Sequence, residues 1–421
     1  MKDSEVEWIG EIPNLWNIAR IKDVSLVSPI CDFSKINNDD LITYSPMECI
    51  KSGFFINKSA RYDSLPKSLT PFQNGDIVLA KVTPCFENGN ISIMDNLYSK
   101  VGLGSSELFV FRCKNVLTKF LFYVLQNDSF KQLGKASMTG IAGLKRISSD
   151  FCKNFKICLP PIEEQQKIAD FLDGKCSTIN TLIEKTKFSI EEYKKLKQAV
   201  ITQAVTKGIR PNREMKDSEV EWIGEIPSEW EFKPLFCYFG ERNNKNKDCK
   251  EENLLSLSYG KIVRKNINTT EGLLPKSFDT YNIVEKDDIV IRPTDLQNDK
   301  KSLRTGLVKE HGIITSAYIT LKPIKKLDSR FFSYLLHSYD CKKVFYNMGN
   351  GVRQGLNFSL FSKLKVGFPS MYEQQEIAEY LDKKCADIDT LISKKQKLVE
   401  ELENYKKSLI YEYVTGKKEV E

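Results

Sequence analysis

The sequence predicts an α+β protein: two variable domains in a pseudo-two-fold arrangement, joined by two long helices that form an antiparallel coiled coil. Three observations carry this. MKDSEVEWIGEIP (Met1–Pro13) returns letter for letter as Met215–Pro227. EEQQKIADFLDGKCSTINTLIEK, starting at Glu163, returns as YEQQEIAEYLDKKCADIDTLISK, starting at Tyr372. The stretches between them, about 14–160 and 228–369, share only landmarks such as NGDIVLAKVTP and KDDIVIRPTD. The order is A-B-C-A-B′-C′, a frame kept and a filling changed. Drift after an old duplication would blur A along with B. The pattern therefore points to a shared frame that holds exchangeable modules.

The elements run in order along the chain. In the first variable stretch LITYSPMECI, DIVLAKV, ISIMD and ELFVFRC read as short strands, and TKFLFYVLQNDSFKQLGKAS reads as a helix. A long helix then runs from Ile162 to Lys207 without a proline. Its apolar positions, from Ile168, Leu172 and Cys176 to Val200 and Ala204, recur in steps of three and four. Gly208 is its stop. At ~1.5 Å per residue it would reach roughly 65 Å, too long for one compact core. The second variable stretch repeats the scheme: NLLSLS, DIVIRP and GIITSAYITLKP as strands, then DSRFFSYLLHSYDCKKVFYN as a helix. A second long helix closes the chain, entered through Phe368-Pro369-Ser370-Met371 where the first is entered through Leu159-Pro160-Pro161-Ile162. Loss of the double proline predicts a different helix entrance there. Each long helix carries one apolar stripe that needs a partner. The other long helix is the cheapest one, placing Ile179, Ile183 and Ile190 opposite Ile388, Ile392 and Val399. Packing of each helix on its own domain is the alternative. The segments are then 1–160, 161–208, 209–369 and 370–421.

At 421 residues the chain has room for about two to three domains. The balance of 63 Lys+Arg against 56 Asp+Glu, formally +7, is compatible with nucleic acid without demanding it. The charged N-terminus and the absence of a long apolar run predict neither a signal peptide nor a membrane span, and a cytoplasmic location. Eleven scattered Cys with no CxxC, and only His311 and His337 beside them, predict reduced thiols and no metal site. No phosphate loop, methyltransferase motif or Ser-His-Asp set is present, which argues against chemistry of the chain's own. Basic and polar residues gather in loops beside the strands. These are Arg61, Lys81, Thr83, Lys145 and Arg146 in the first module. In the second they are Arg264, Lys265, Arg292, Thr294, Arg353, Gln354 and Asn357. Arg and Lys neutralise phosphates or bind guanine, and Gln and Asn suit adenine, so the set is a candidate DNA-binding surface. A solvated surface is the plain alternative for any one of them.

SEVEWIGEIPNLWNIARIKDV, LPPIEEQQKIADFLD and ITQAVTKG, with their second copies SEVEWIGEIPSEWEFKPL, YEQQEIAEYLD and YEYVTGK, resemble the specificity (S) subunit of type I restriction–modification systems. The resemblance spans the whole chain. It implies two target-recognition domains, each reading one half of a split double-stranded DNA target, with the coil fixing the gap. It implies a non-catalytic subunit that binds no cofactor. Two methyltransferase (M) subunits would dock on the repeated segments and use S-adenosylmethionine to methylate adenine. Two restriction (R) subunits would add cleavage with ATP and Mg. A DNA-targeting subunit of another modification enzyme, or a stand-alone DNA-binding protein, is the alternative.

Overall fold

The repeated residues fold the same way twice. In the first copy the amide of Ser4 donates to the carbonyl of Gly10 (3.0 Å), and Asp3 Oδ1 accepts from the amide of Glu5 (2.8 Å). In the second copy Ser218 donates to Gly224 (2.9 Å), and Asp217 Oδ1 accepts from Glu219 (2.9 Å). An Asp that bonds the backbone two residues on sets this turn locally, whichever module is attached to it. The computed structural model describes residues 1–420 apart from 142, 268–276, 295, 297–302, 345 and 349–354. It divides into two compact units, Met1–Lys187 with Lys397–Glu421, and Phe188–Gln396.

In the first unit an antiparallel sheet has the order Ser25–Val27, Leu108–Cys113, Ile77–Ala80, Ile91–Ile93. All four residues of Ile77–Ala80 are buried, as an unbroken apolar run in a central strand requires. A second sheet runs Lys58–Arg61, Leu41–Ser45, Val101–Gly104, Thr70–Gln73. Phe72, Val78, Met94, Leu108 and Val110 close the core of this module. The single helix expected over 118–137 is two, Thr118–Gln126 and Asp128–Ala136. Asn127 breaks it: its backbone leaves the helical region and its side chain accepts the amide of Ser129 at 2.8 Å, capping the second helix.

In the second unit the matching sheet has the order Phe239–Glu241, Ile319–Pro323, Ile289–Ile291, Thr305–Leu307. GIITSAYITLKP forms two strands, not one. Gly312–Ile314 pairs with Asn282–Val284, a turn at Thr315 comes next, and Ile319–Pro323 enters the main sheet. The helix Ser329–Cys341 is continuous and buries Phe331, Phe332, Leu335 and Leu336. In both units a two-stranded ribbon closes the module onto its frame, Asn17–Arg20 with Lys156–Leu159 and Glu231–Pro234 with Lys365–Phe368.

The long helices span Ile162–Lys207 and Met371–Val414. Gly208 ends the first with a φ of 74°, the left-handed conformation that glycine adopts freely. Within the first unit the Phe171 ring packs at a tilt 4.5 Å from that of Tyr413, Asn180 accepts from Lys406 (2.9 Å), and Lys187 pairs with Glu403 (2.9 Å). Within the second, the ammonium of Lys395 lies over the Tyr193 ring, Lys197 pairs with Asp389 (2.7 Å), and Arg210 pairs with Glu376. Numbers rise along one helix as they fall along the other, so the pairing in each unit is antiparallel. Ile179, Ile183 and Val399 are buried in the first unit and Ile190, Ile388 and Ile392 in the second. The two helix entrances do not differ as the missing proline predicted. Gln165 donates to the carbonyl of Pro160 at 2.8 Å and Gln374 to that of Pro369 at 2.9 Å. Ser370 replaces the second proline by accepting the amide of Glu373 on its hydroxyl (3.3 Å).

Candidate functional site

The frame offers each variable module the same sockets. The indole of Trp16 donates to Glu164 (2.9 Å), and that of Trp230 donates to Glu373 (3.0 Å). Gln165 Oε1 accepts the amide of Leu117, and Gln374 Oε1 that of Asp328, both at 2.9 Å. Asp173 takes Tyr123 and Lys119, each at 2.6 Å. Asp382 takes Tyr334 at 2.8 Å and Arg330 at 2.9 Å. The base and the tyrosine lie one helical turn apart in both modules, so both reach the same carboxylate. The repeated C segment is therefore a row of acceptors for the helix of whichever module it holds. Repetition of Gln165, Gln374, Asp173 and Asp382 was the available signal for these residues.

Each main sheet also keeps a buried aspartate. Asp76 binds Arg112 through both carboxylate oxygens at 2.8 Å, and Asp288 binds Arg242. The arginine comes from different strands in the two units. Arg112 lies in Leu108–Cys113, and Arg242 comes directly after Phe239–Glu241. Burial raises the Asp288 carboxyl above its ordinary range in spite of Arg242. Each aspartate also accepts an amide in the turn before its strand, from Gln73 and Glu285, both at 2.9 Å. The start of the DIV strand and the turn before it are thus fixed in both modules.

In the first module the structure brings Lys81, Thr83, Lys145 and Arg146 together. The hairpin of Thr139–Ile141 with Leu144–Arg146 folds over the strand-end loop. Thr83 Oγ1 donates to the carbonyl of Gly143 (2.9 Å) and accepts the amide of Lys145 (3.0 Å). Val82 bridges Arg146, and Ile147 donates to the carbonyl of Lys81 (3.0 Å). Lys81 lies over the Phe109 ring, Lys145 is exposed, and Arg146 makes a two-point pair with Glu107 at 2.8 Å. Arg146 holds the Glu107 carboxyl below the usual range. Arg61 sits apart, on the second sheet, paired with Asp39 and Asp63.

In the second module Arg292 and Thr294 are exposed on either side of buried Pro293. Leu356 donates to the carbonyl of Pro293 (3.0 Å), which brings the 355–357 segment to this loop as Ile147 is brought to Lys81. Asn357 accepts the amide of Leu360 (2.9 Å), so its side chain caps the helix Phe358–Phe361. Arg353 and Gln354 lie outside the described residues. Lys265 is exposed at the end of the hairpin Leu255–Ser258 with Lys261–Arg264, where Arg264 forks onto Glu310. Exposed pairs such as Arg146–Glu107 and Arg264–Glu310 are screened by solvent and add little stability. Among the described residues a strand-end loop and a later segment thus meet in each module, through Lys81 and Ile147 in the first and Pro293 and Leu356 in the second. Among the described residues no cluster could hold a metal ion, and no helix is long and apolar enough to cross a membrane.

A family model, the type I restriction modification DNA specificity domain, matches residues 13–192 and 227–401. The type I restriction enzyme EcoAI specificity subunit of Escherichia coli is 30% identical over 203 residues, 47% of this chain and 34% of that protein. The chain spans about a third of the length of that relative, and of the EcoEI specificity subunit from the same organism. The type I restriction enzyme MjaVIII specificity subunit of Methanocaldococcus jannaschii is 26% identical, with 96% of this chain and 93% of that protein covered. A chain solved in work on complex assembly and conformational transition of the type I R-M system has a TM-score of 0.73 at 17% identity, covering 97% of this chain and 100% of that one. The HsdS subunit from Thermoanaerobacter tengcongensis has a TM-score of 0.53 at 16% identity, covering 97% of this chain and 98% of that one. These two share the fold.

Proposed function

This chain belongs to the type I restriction modification DNA specificity family, and from that premise we propose that its two units each read one half of a split double-stranded DNA target for a methyltransferase partner. The observation that carries the reading is the asymmetry of what is kept. The sockets at Gln165 and Gln374, and at Asp173 and Asp382, are the same in both units. The surfaces at Lys81–Lys145 and at Arg292–Thr294 are not. Equal frames suit two equal partners docked in equal ways, while unequal surfaces suit two different half-sites. The long helices set the gap between the half-sites. The chain itself contributes no chemistry. Two M subunits carry S-adenosylmethionine and methylate adenine, and two R subunits supply ATP- and Mg-dependent cleavage.

Genome-wide methylation mapping with the chain and its M partner tests this. Two short specified halves with an unspecified gap are expected, and a single unsplit motif would contradict the reading. The rigorously purified chain alone should transfer no methyl group; transfer by it would overturn the non-catalytic assignment. Lys81→Ala should weaken binding to all DNA sequences alike and reduce the salt slope by about one unit if Lys81 meets a phosphate. Arg292→Ala should relax one position of the second half by roughly 1–3 kcal/mol if Arg292 meets a base edge. Wild-type affinity and specificity in both folded variants would remove the two residues from the interface.

A further inference from the structure

Arg304 is an arginine with 1% of its surface exposed, in a unit whose strand-end loop exposes Arg292 and Thr294. Its guanidinium does not reach the surface. Nη1 donates to the main-chain carbonyls of Arg292 (3.3 Å) and Thr294. Nε donates to the hydroxyl of Tyr346 (3.2 Å), which donates in turn to Asp340 Oδ1 (3.2 Å). The other oxygen of Asp340 accepts the amide of Arg304 at 2.6 Å. Asp340 is fully buried at the end of the helix Ser329–Cys341.

A buried charged network of this kind is seldom the cheapest way to stabilise a core, because desolvating the ions offsets their attraction. Its effect here is geometric. The carbonyls of 292, 293 and 294 are three in a row, and all three are held inward: two by Arg304 and one by the amide of Leu356 (3.0 Å). With the carbonyls fixed, the side chains of Arg292 and Thr294 are what the loop presents outward. A reading group must be held to within about half an ångström to discriminate between bases. The first unit fixes its corresponding loop differently, with the hairpin that bonds Thr83 to Gly143 and Lys145.

We propose that Arg304, with Tyr346 and Asp340, is a specificity-determining positioning residue: it sets where Arg292 and Thr294 meet DNA and so governs the half-site read by the second unit. This rests on the reading of the chain as a two-unit DNA specificity protein.

The test uses the full chain in complex with its M partner, mapping methylation on a DNA library with both half-sites randomised. Arg304→Met, near in length but without donors, should lower discrimination at one or more positions of the second half by at least about tenfold. The first half should stay as in the wild type. Tyr346→Phe, which removes one hydroxyl, should act in the same direction more weakly. Arg304→Lys keeps the charge but loses the forked donor geometry, and should fall between wild type and Arg304→Met. If Arg304→Met does not fold, the other two variants decide. An unchanged second half in the folded variants overturns the proposal. So does an equal loss in both halves, which marks general loosening. A wild-type complex without a split motif would instead count against the two-unit reading itself.

Discussion

Gln165 and Gln166 are neighbours with opposite roles. Gln166 is exposed and bonds Asp170 within its own helix (2.9 Å). Gln165 is buried and serves two main-chain groups, the buried carbonyl of Pro160 and the part-buried amide of Leu117. Gln165→Ala strands both; a buried orphan costs about 1–3 kcal/mol and a part-buried one about 1, so a loss of roughly 2–4 kcal/mol is expected. For a unit of this size that lowers the thermal midpoint by roughly 5–15 °C. Gln166→Ala should lower it hardly at all, and equal effects of the two would refute the assignment. His311 invites a test by pH. Its ring nitrogens meet Glu285 and Glu251, each at 2.9 Å, and the bond to Glu285, with the nearby carboxylate charges, raises its pKa above the ordinary value. A raised histidine binds its proton more tightly when folded. Its contribution is full below the unfolded pKa of about 6.5 and fades as pH rises through the higher folded value. The stability gap between wild type and His311→Gln, measured by denaturant melts, should therefore be larger at about pH 6 than at about pH 8.5. A gap that is flat or widens with pH would show that the imidazolium is not what the carboxylates hold. Arg304 marks the limit of residue-level reading: nothing in LRTG distinguishes a buried arginine from a surface one, because its acceptors are carbonyls brought to it by the fold.

Elements were legible where one physical signal dominated. The long helices follow from an apolar stripe uninterrupted by proline, and the structure ends the first at Lys207, before Gly208. DIVLAKV was legible as a strand because it is a short apolar run between turn signals, and all four residues of Ile77–Ala80 are buried. The failures lie where a short polar contact overrides periodicity. Asn127 splits a helix by capping its second half, and Thr315 starts a turn inside an otherwise strand-like run. The hairpin at 139–146 was not read as an element from the sequence, yet it positions Lys145 and Arg146. Gly140 has a φ of 145°, and a Cβ there would meet the carbonyl oxygen of Leu144 at 2.2 Å. Gly140→Ala should cost about 1–3 kcal/mol of local strain and open the hairpin. The amides of Thr83, which donates to Lys145, and of Lys145, which donates to Thr83, should then exchange at least about tenfold faster. Exchange in the second unit should not change. Unaltered protection at Lys145 would mean that the loop is held by something other than this hairpin.

At the scale of the whole chain the sequence carried the most, because a repeat is a comparison that one sequence makes with itself. Which surface each module presents was far less legible. The candidate residues scattered over loops were gathered by folding into Lys81–Thr83–Lys145–Arg146 and Arg292–Thr294, while Arg61 was left apart. The sockets add a rule to the modular reading. A module fits if its helix brings a base and a tyrosine one turn apart, as Lys119 and Tyr123 or Arg330 and Tyr334 do, and a free amide at the helix entrance for the glutamine. Replacing residues 14–160 by another module that meets this rule should change one half of the methylated motif and leave the other as the second unit dictates. Removing the tyrosine and the base from the incoming helix should weaken its seating by about 1 kcal/mol, since the socket carboxylate is partly exposed. In an Asp173→Asn background the same removal should cost little more, because two changes to one contact are not additive. Methylation maps of the chimeras read the first effect and denaturant melts the second. A swap that altered both halves would mean that the units do not read independently, whatever the sockets hold in place.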